Sequence, residues 1–149
     1  MLYPEDKNTD LSISIVSYNV KRLLGLCLES IKTHTRGVSY QVIVVDNGSR
    51  DGTVAMLSAK FPWVKVIANR NNQGFAAAQN KGLGMGRGRY LFSLDSDTYI
   101  TEDTFTAMVR FMDQYPAAGA AGAKLLSPQG LRQYSRRRFP PSIWPVIYR

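Results

Sequence analysis

Hydrophobic positions along this chain fall into two alternating patterns. Short apolar runs, rich in β-branched residues, occupy 11–18, 41–46, 64–68 and 90–94, and each reads as a strand. Between the first two, Leu23, Leu24, Cys27, Leu28 and Ile31 recur at helical spacing, with Asn19 expected as N-cap and Gly37 as stop. Segments 53–60 and 75–83 read as second and third helices. A fourth is expected from Thr101 to about Tyr115, with Glu102 and Asp103 favouring its first turn and Pro116 just beyond it. Strands that are apolar on both faces and separated by helices predict an α/β fold, a mostly parallel sheet flanked by helices. After Pro116 the pattern weakens. Residues 117–126 are small and apolar, 127–130 read as a turn and 133–138 as a strand. Residues 139–149 carry three prolines, which exclude a regular helix or a central strand. The expected organisation is a polar extension over 1–10, an α/β domain over 11–126, and a basic, aromatic, proline-rich tail over 127–149.

Composition changes this picture in one respect. The chain has 149 residues, 44% hydrophobic and 20% charged, which suits one globular domain and excludes disorder as the main state. Its net charge of +8 first suggests a polyanion partner. Placement argues otherwise. From Gln114 onward there are six basic residues and no acidic one, leaving 13 basic against 11 acidic residues before it, a net of +2. The body is nearly neutral, and no nucleic-acid partner is expected. The arginines of the tail, interleaved with Phe139, Trp144 and Tyr148, suit peripheral contact with an anionic membrane or packing against another part of the protein. The single cysteine, Cys27, excludes an intramolecular disulfide and reads as a buried small hydrophobe. No signal peptide or membrane span is legible, so the expected place is the cytoplasm, at the inner face of the membrane if the tail docks there.

The chemically suggestive clusters all follow strands, where parallel sheets bind ligands. Asp95 and Asp97 lie two apart after the fourth strand; extended geometry would point both carboxylates one way, towards a hard cation such as Mg²⁺ or Mn²⁺. The same residues would equally punctuate a loop. Asp46 ends the second strand, ahead of a glycine-containing turn that lets backbone N–H groups approach a ligand, while Asp51 or Thr53 reads as a helix cap. Gly74 lies near a helix N-terminus, a favourable place for phosphate. Gly82, Gly84, Gly86 and Gly88 end a helix and precede a strand, so they read as a flexible C-cap and turn, not a dinucleotide fingerprint. His34, the only histidine, ends a helix and is not expected to act as a base.

Taken together, SIVSYN (14–19), VVDNGSRDGT (44–53), NNQGFAAAQN (71–80) and LDSD (94–97) resemble the family 2 glycosyltransferases. Residues 119–139 further resemble the branch holding bacterial rhamnosyltransferases and other cell-surface polysaccharide enzymes. The resemblance implies a GT-A, Rossmann-like fold and inverting, metal-dependent sugar transfer to a saccharide or lipid-linked acceptor. It implies a UDP- or dTDP-sugar donor. Ser17, Tyr18 and Asn19 would lie beside the base and ribose, and Asp46 would accept from the pyrimidine N3–H. Gly74 and Asn80 would shape the diphosphate side, Asp95 would contact ribose or sugar, and Asp97 would hold the metal with Asp95 beside it. Where the family often has a second aspartate after Asp46, this chain has Asn47.

One part is missing from the pattern. Inversion needs a general base on the acceptor side, yet the only carboxylate after Asp103 is Asp113, inside an expected helix. The chain therefore reads as a donor-binding half whose tail begins the acceptor half. The competing readings are a basic-tail nucleic-acid module and a donor-binding remnant without catalysis.

Overall fold

The computed structural model describes residues 9–127 and 129–133, so the expected strand over 133–138 lies outside the described residues except for Gln133, as does the aromatic tail beyond it. Four parallel strands form the sheet: β1 (Leu11–Ser17), β2 (Tyr40–Asp46), β3 (Lys65–Ala68) and β4 (Tyr90–Asp95), in the order β3-β2-β1-β4. Each is joined to the next by a helix: α1 (Lys21–His34), α2 (Thr53–Lys60) and α3 (Phe75–Leu83). Helix α4 (Thr104–Gln114) follows β4, and a short antiparallel pair, β5 (Leu125–Leu126) with β6 (Arg132–Gln133), ends the described chain. The α/β expectation holds, and 53–60 and 75–83 form helices over those residues.

Alternation along the strands builds two layers. Leu11, Ile13 and Ile15 of β1, with Val42 and Val44 of β2, join Leu24, Cys27, Leu28 and Ile31 of α1, Leu57 of α2 and Phe105 of α4 in one buried core. The opposite face carries Ser12, Ser14 and Val45. There α3 comes so close that a Cβ on Gly82 would lie 2.1 Å from the Ser14 hydroxyl. Only the two central strands are buried on both faces. β3 and β4 are edges; exposure alternates along β4, with Leu91 54% exposed.

Two local expectations fail and a third holds only in part. Asn19 does not cap α1: it adopts a left-handed φ of 54°, and Val20 holds the cap position. Helix α4 starts at Thr104 rather than Thr101, because Ile100 donates its N–H to the Ser30 hydroxyl and ties that stretch to α1. Of the glycines before β4, Gly84 caps α3 and opens a turn as expected, while Gly86 and Gly88 are places of close approach. A Cβ on Gly88 would meet the backbone of Leu11 and Ser12 at 2.7 Å. Among the described residues, no helix is long and apolar enough to cross a membrane.

Candidate functional site

The C-terminal ends of β1, β2 and β4 carry the site, because three parallel neighbours finish side by side. Register pairs Ser17 with Asp46 and Val16 with Asp95. Asp46 is 1% exposed. Its Oδ2 accepts from the Ser49 N–H at 2.9 Å, while Oδ1 is buried without a partner among the described residues. Beside it the fully buried Ser17 hydroxyl is also unpartnered. A buried polar group left unpaired costs stability, so both atoms are candidates for a ligand's donors and acceptors.

Asn19 joins the first two strand ends. Its Oδ1 accepts from the Arg50 N–H at 2.8 Å, and its own N–H donates to the Ser49 hydroxyl at 2.9 Å. Asp51 is structural: it accepts from the N–H groups of Lys21 and Thr53 and from the Thr53 hydroxyl. Those bonds hold its carboxyl below the ordinary range, Thr53 contributing most.

The fourth strand end departs from the extended geometry expected of it. Asp95 is the last strand residue, but Ser96 and Asp97 form a turn closed by the Thr98 N–H on the Asp95 carbonyl at 3.1 Å. Both carboxylates nevertheless line one cavity of about 380 Å³, together with Val16, Tyr18, Asn47, Asn72 and Phe75. Sequence reasoning missed Asn47, Asn72 and Phe75 as site residues. Phe75 is 57% exposed at the start of α3, and the signal in the sequence was only an aromatic residue after Gly74 at an expected helix start.

Of the residues expected at the site, Tyr18, Asp95 and Asp97 are brought together around this cavity. Ser17 and Asp46 lie buried at the adjoining strand ends. Gly74 borders it through Asn72 and Asn47, and its φ of 83° with ψ of 158° suits only glycine. Asn80 lies further along α3 and is exposed; its carbonyl accepts from the Gly84 N–H. No group of three or more His, Cys, Asp or Glu suited to a metal occurs among the described residues. Two exposed carboxylates on one cavity still fit a hard cation that takes its other ligands from water or phosphate. A larger groove, about 620 Å³, runs between α1 and α2. It holds none of the strand-end carboxylates, and its Asp51 is already engaged.

Asp113 does not belong to this site. It accepts from Arg89 at 2.8 Å and from the Tyr90 hydroxyl at 2.7 Å. Tyr90 starts β4 and Asp95 ends it, so Asp113 sits roughly 16 Å away at the other end of the sheet.

Residues 12–149 match the sequence model of Glycosyl transferase family 2. The chain is 36% identical over 116 residues to the succinoglycan biosynthesis protein ExoO of Rhizobium meliloti, covering 77% of this chain and 32% of that protein. Among solved structures, S. aureus TarS 1–349 in complex with UDP-GlcNAc is similar at a TM-score of 0.65 and 24% identity, over 72% of this chain and 32% of that one. Mannosyltransferase PcManGT from Pyrobaculum calidifontis, in complex with GDP-Man and Mn²⁺, is similar at 0.65 and 22% identity, over 86% and 39%. These two likenesses show the fold. The chain spans about a third of the length of these proteins.

Proposed function

This chain belongs to glycosyl transferase family 2, and from that premise we propose that it forms the donor-binding part of an inverting, metal-dependent glycosyltransferase of cell-surface polysaccharide or glycolipid synthesis. The observation that carries this reading is the meeting of Tyr18, Asn47, Asp95 and Asp97 around one cavity at the carboxyl ends of parallel strands. A nucleoside diphosphate sugar combines a flat base, hydroxyls and two phosphates, and the cavity's edge offers a match for each. The exposed Tyr18 ring and the buried, unpartnered Asp46 Oδ1 and Ser17 Oγ suit a base carrying N–H and carbonyl groups. The N-terminus of α3, entered through Gly74, favours phosphate. Donor and metal also appear in the names of structural neighbours, as UDP-GlcNAc for one and GDP-Man with Mn²⁺ for the other.

Asp95 and Asp97 would hold Mg²⁺ or Mn²⁺, which when bound supplies Lewis-acid neutralisation of the departing diphosphate. Asp95, the last residue of β4, would also accept a sugar or ribose hydroxyl. The acceptor hydroxyl must lose a proton during the transfer. Asp113 is committed to Arg89 and Tyr90, so the base is expected from an acceptor-binding part that follows the α/β domain. The proposed division is accordingly a donor domain over 11–126, with 127–149 leading into that part. The name of ExoO, a succinoglycan biosynthesis protein, supports the polysaccharide role.

Calorimetry with UDP, dTDP and GDP and their sugars, with and without Mn²⁺, tests the reading. Binding that requires Mn²⁺ and falls at least about tenfold in Asp97→Ala is expected, the loss of one charged ligand being worth about 1.5–3 kcal/mol. Metal-independent binding, or unchanged affinity in Asp97→Ala, would overturn it.

A further inference from the structure

We propose that Asn47 is a positioning residue that fixes the 69–74 wall of the donor pocket through a chain of amides whose polarity admits no carboxylate at position 47. The Asn47 side chain is buried, 2% exposed, and makes four hydrogen bonds. Its Nδ2 donates to Asn72 Oδ1 at 2.8 Å and to the Gly74 carbonyl at 3.2 Å. Its Oδ1 accepts from the Gln73 N–H at 3.0 Å and from Asn69 Nδ2 at 3.1 Å. The relay continues at both ends: Asn72 Oδ1 also accepts from the Gly74 N–H at 2.9 Å, and Asn69 Oδ1 accepts from Lys81 Nζ at 2.7 Å.

Groups at the ends of this chain cannot reverse. Lys81 only donates, the backbone N–H groups of Gln73 and Gly74 only donate, and the Gly74 carbonyl only accepts. Asn69 must therefore turn its oxygen to Lys81 and its NH₂ to Asn47. Asn72 must turn its oxygen to the Gly74 N–H. Asn47 is left facing two donors on one side and two acceptors on the other, which only an amide satisfies. An ionised aspartate there would set an oxygen against Asn72 Oδ1 and the Gly74 carbonyl. Position 72 is different, because the Asn72 side chain uses its oxygen alone, so a carboxylate keeps both of its bonds.

The relay matters to the pocket because Asn47 and Asn72 line the cavity holding Asp95 and Asp97, and Gly74 leads directly into Phe75 on the same wall. The Asn47 N–H donates to the Ser17 carbonyl at 2.7 Å, so one residue links β1, β2 and the loop before α3. Its consequence for donor affinity rests on the proposed function above.

The test uses the whole chain and two readouts: amide hydrogen exchange by NMR without ligand, and calorimetric affinity for UDP with Mn²⁺. Asn47→Asp keeps an acceptor for the Gln73 N–H but loses the two bonds donated to Asn72 and the Gly74 carbonyl, so it is expected to speed exchange of Gly74 about tenfold or more. Exchange at the core amides of Ile13 and Val44 should stay unchanged. Asn72→Asp should leave Gln73 and Gly74 exchange near that of the unaltered chain. Asn72→Ala, at an exposed position that spares the core, should release Gly74. UDP affinity should fall about tenfold in Asn47→Asp and in Asn72→Ala. Equal exchange in Asn47→Asp and Asn72→Asp would overturn the relay. A loosened loop with unaltered UDP affinity would overturn its positioning role. Absence of UDP binding by the unaltered chain would sink the donor reading alone, and the exchange asymmetry would still decide the relay.

Discussion

Asp10 shows how far one half-buried residue can act when several groups converge on it. Its carboxylate accepts from the Ser39 hydroxyl at 2.7 Å, the Ser39 N–H at 3.0 Å and the Arg89 guanidinium at 2.9 Å. These bonds, Ser39 foremost, hold its carboxyl down to about 2 from an ordinary 3.8. Arg89 also reaches Asp113, so this cluster ties the starts of β1 and β4 to the end of α4, at the sheet edge opposite the site. A carboxyl depressed by folding stabilises the native state above its unfolded value, and that contribution fades as pH falls towards the folded value. Asp10→Asn should therefore lower the thermal midpoint at neutral pH, and the gap to the unaltered chain should close between about pH 4 and pH 2. A gap constant over that window would show that these bonds do not set the stability. Cys27 is the opposite case: fully buried, its thiol is pushed up to about 12 by desolvation and then by the Asp97 charge. The expectation of an inert small hydrophobe agrees with both observations.

At the scale of elements, glycine placement separates what the chain alone reveals from what folding adds. Helices over 53–60 and 75–83 were legible because apolar spacing and flanking turn residues are local signals. The roles of Gly82 and Gly88 were not, because each answers to a distant segment: Ser14 for one, Leu11 and Ser12 for the other. The same reason hid the late start of α4, whose preceding residues are committed to Ser30, and the true task of Asn19, which is committed to the loop after β2. At Gly88 the neighbour is backbone, which yields little. Gly88→Ala should therefore cost about 1–3 kcal/mol of unfolding free energy, the range for overpacking a tight site. Gly119→Ala, where a Cβ meets nothing within 4 Å, should fall within about 0.5 kcal/mol of the unaltered chain. Denaturant titration of the two variants reads the difference. Equal losses would mean that the approach of β4's lead-in to β1 is looser than the geometry states.

For the molecule as a whole, the sheet's edges decide behaviour that neither residues nor elements show alone. The strand-end carboxylates were legible because a parallel sheet collects its loops at one end whatever their sequence. The cavity wall of Asn47, Asn72 and Phe75 was not, since the loop after β2 and the loop into α3 must fold together before those side chains meet. β4 raises a further consequence. Its inner edge pairs with β1, but among the described residues no strand pairs with its outer edge, and Leu91, on the same face as Ser12, stands 54% exposed. Unpaired strand edges with apolar side chains template association with other chains, and lysine on such an edge opposes it. Sedimentation velocity should therefore show this chain associating as its concentration rises. Leu91→Lys should shift that association to concentrations about tenfold higher, since desolvating one lysine at a paired edge costs on the order of 1–2 kcal/mol. Leu91 lies four residues, roughly 13 Å, from Asp95 along β4, so the substitution should leave the proposed nucleotide binding unchanged. A chain that stays monomeric at every concentration, or a Leu91→Lys variant that associates equally, would show that this edge is protected by something other than its side chains.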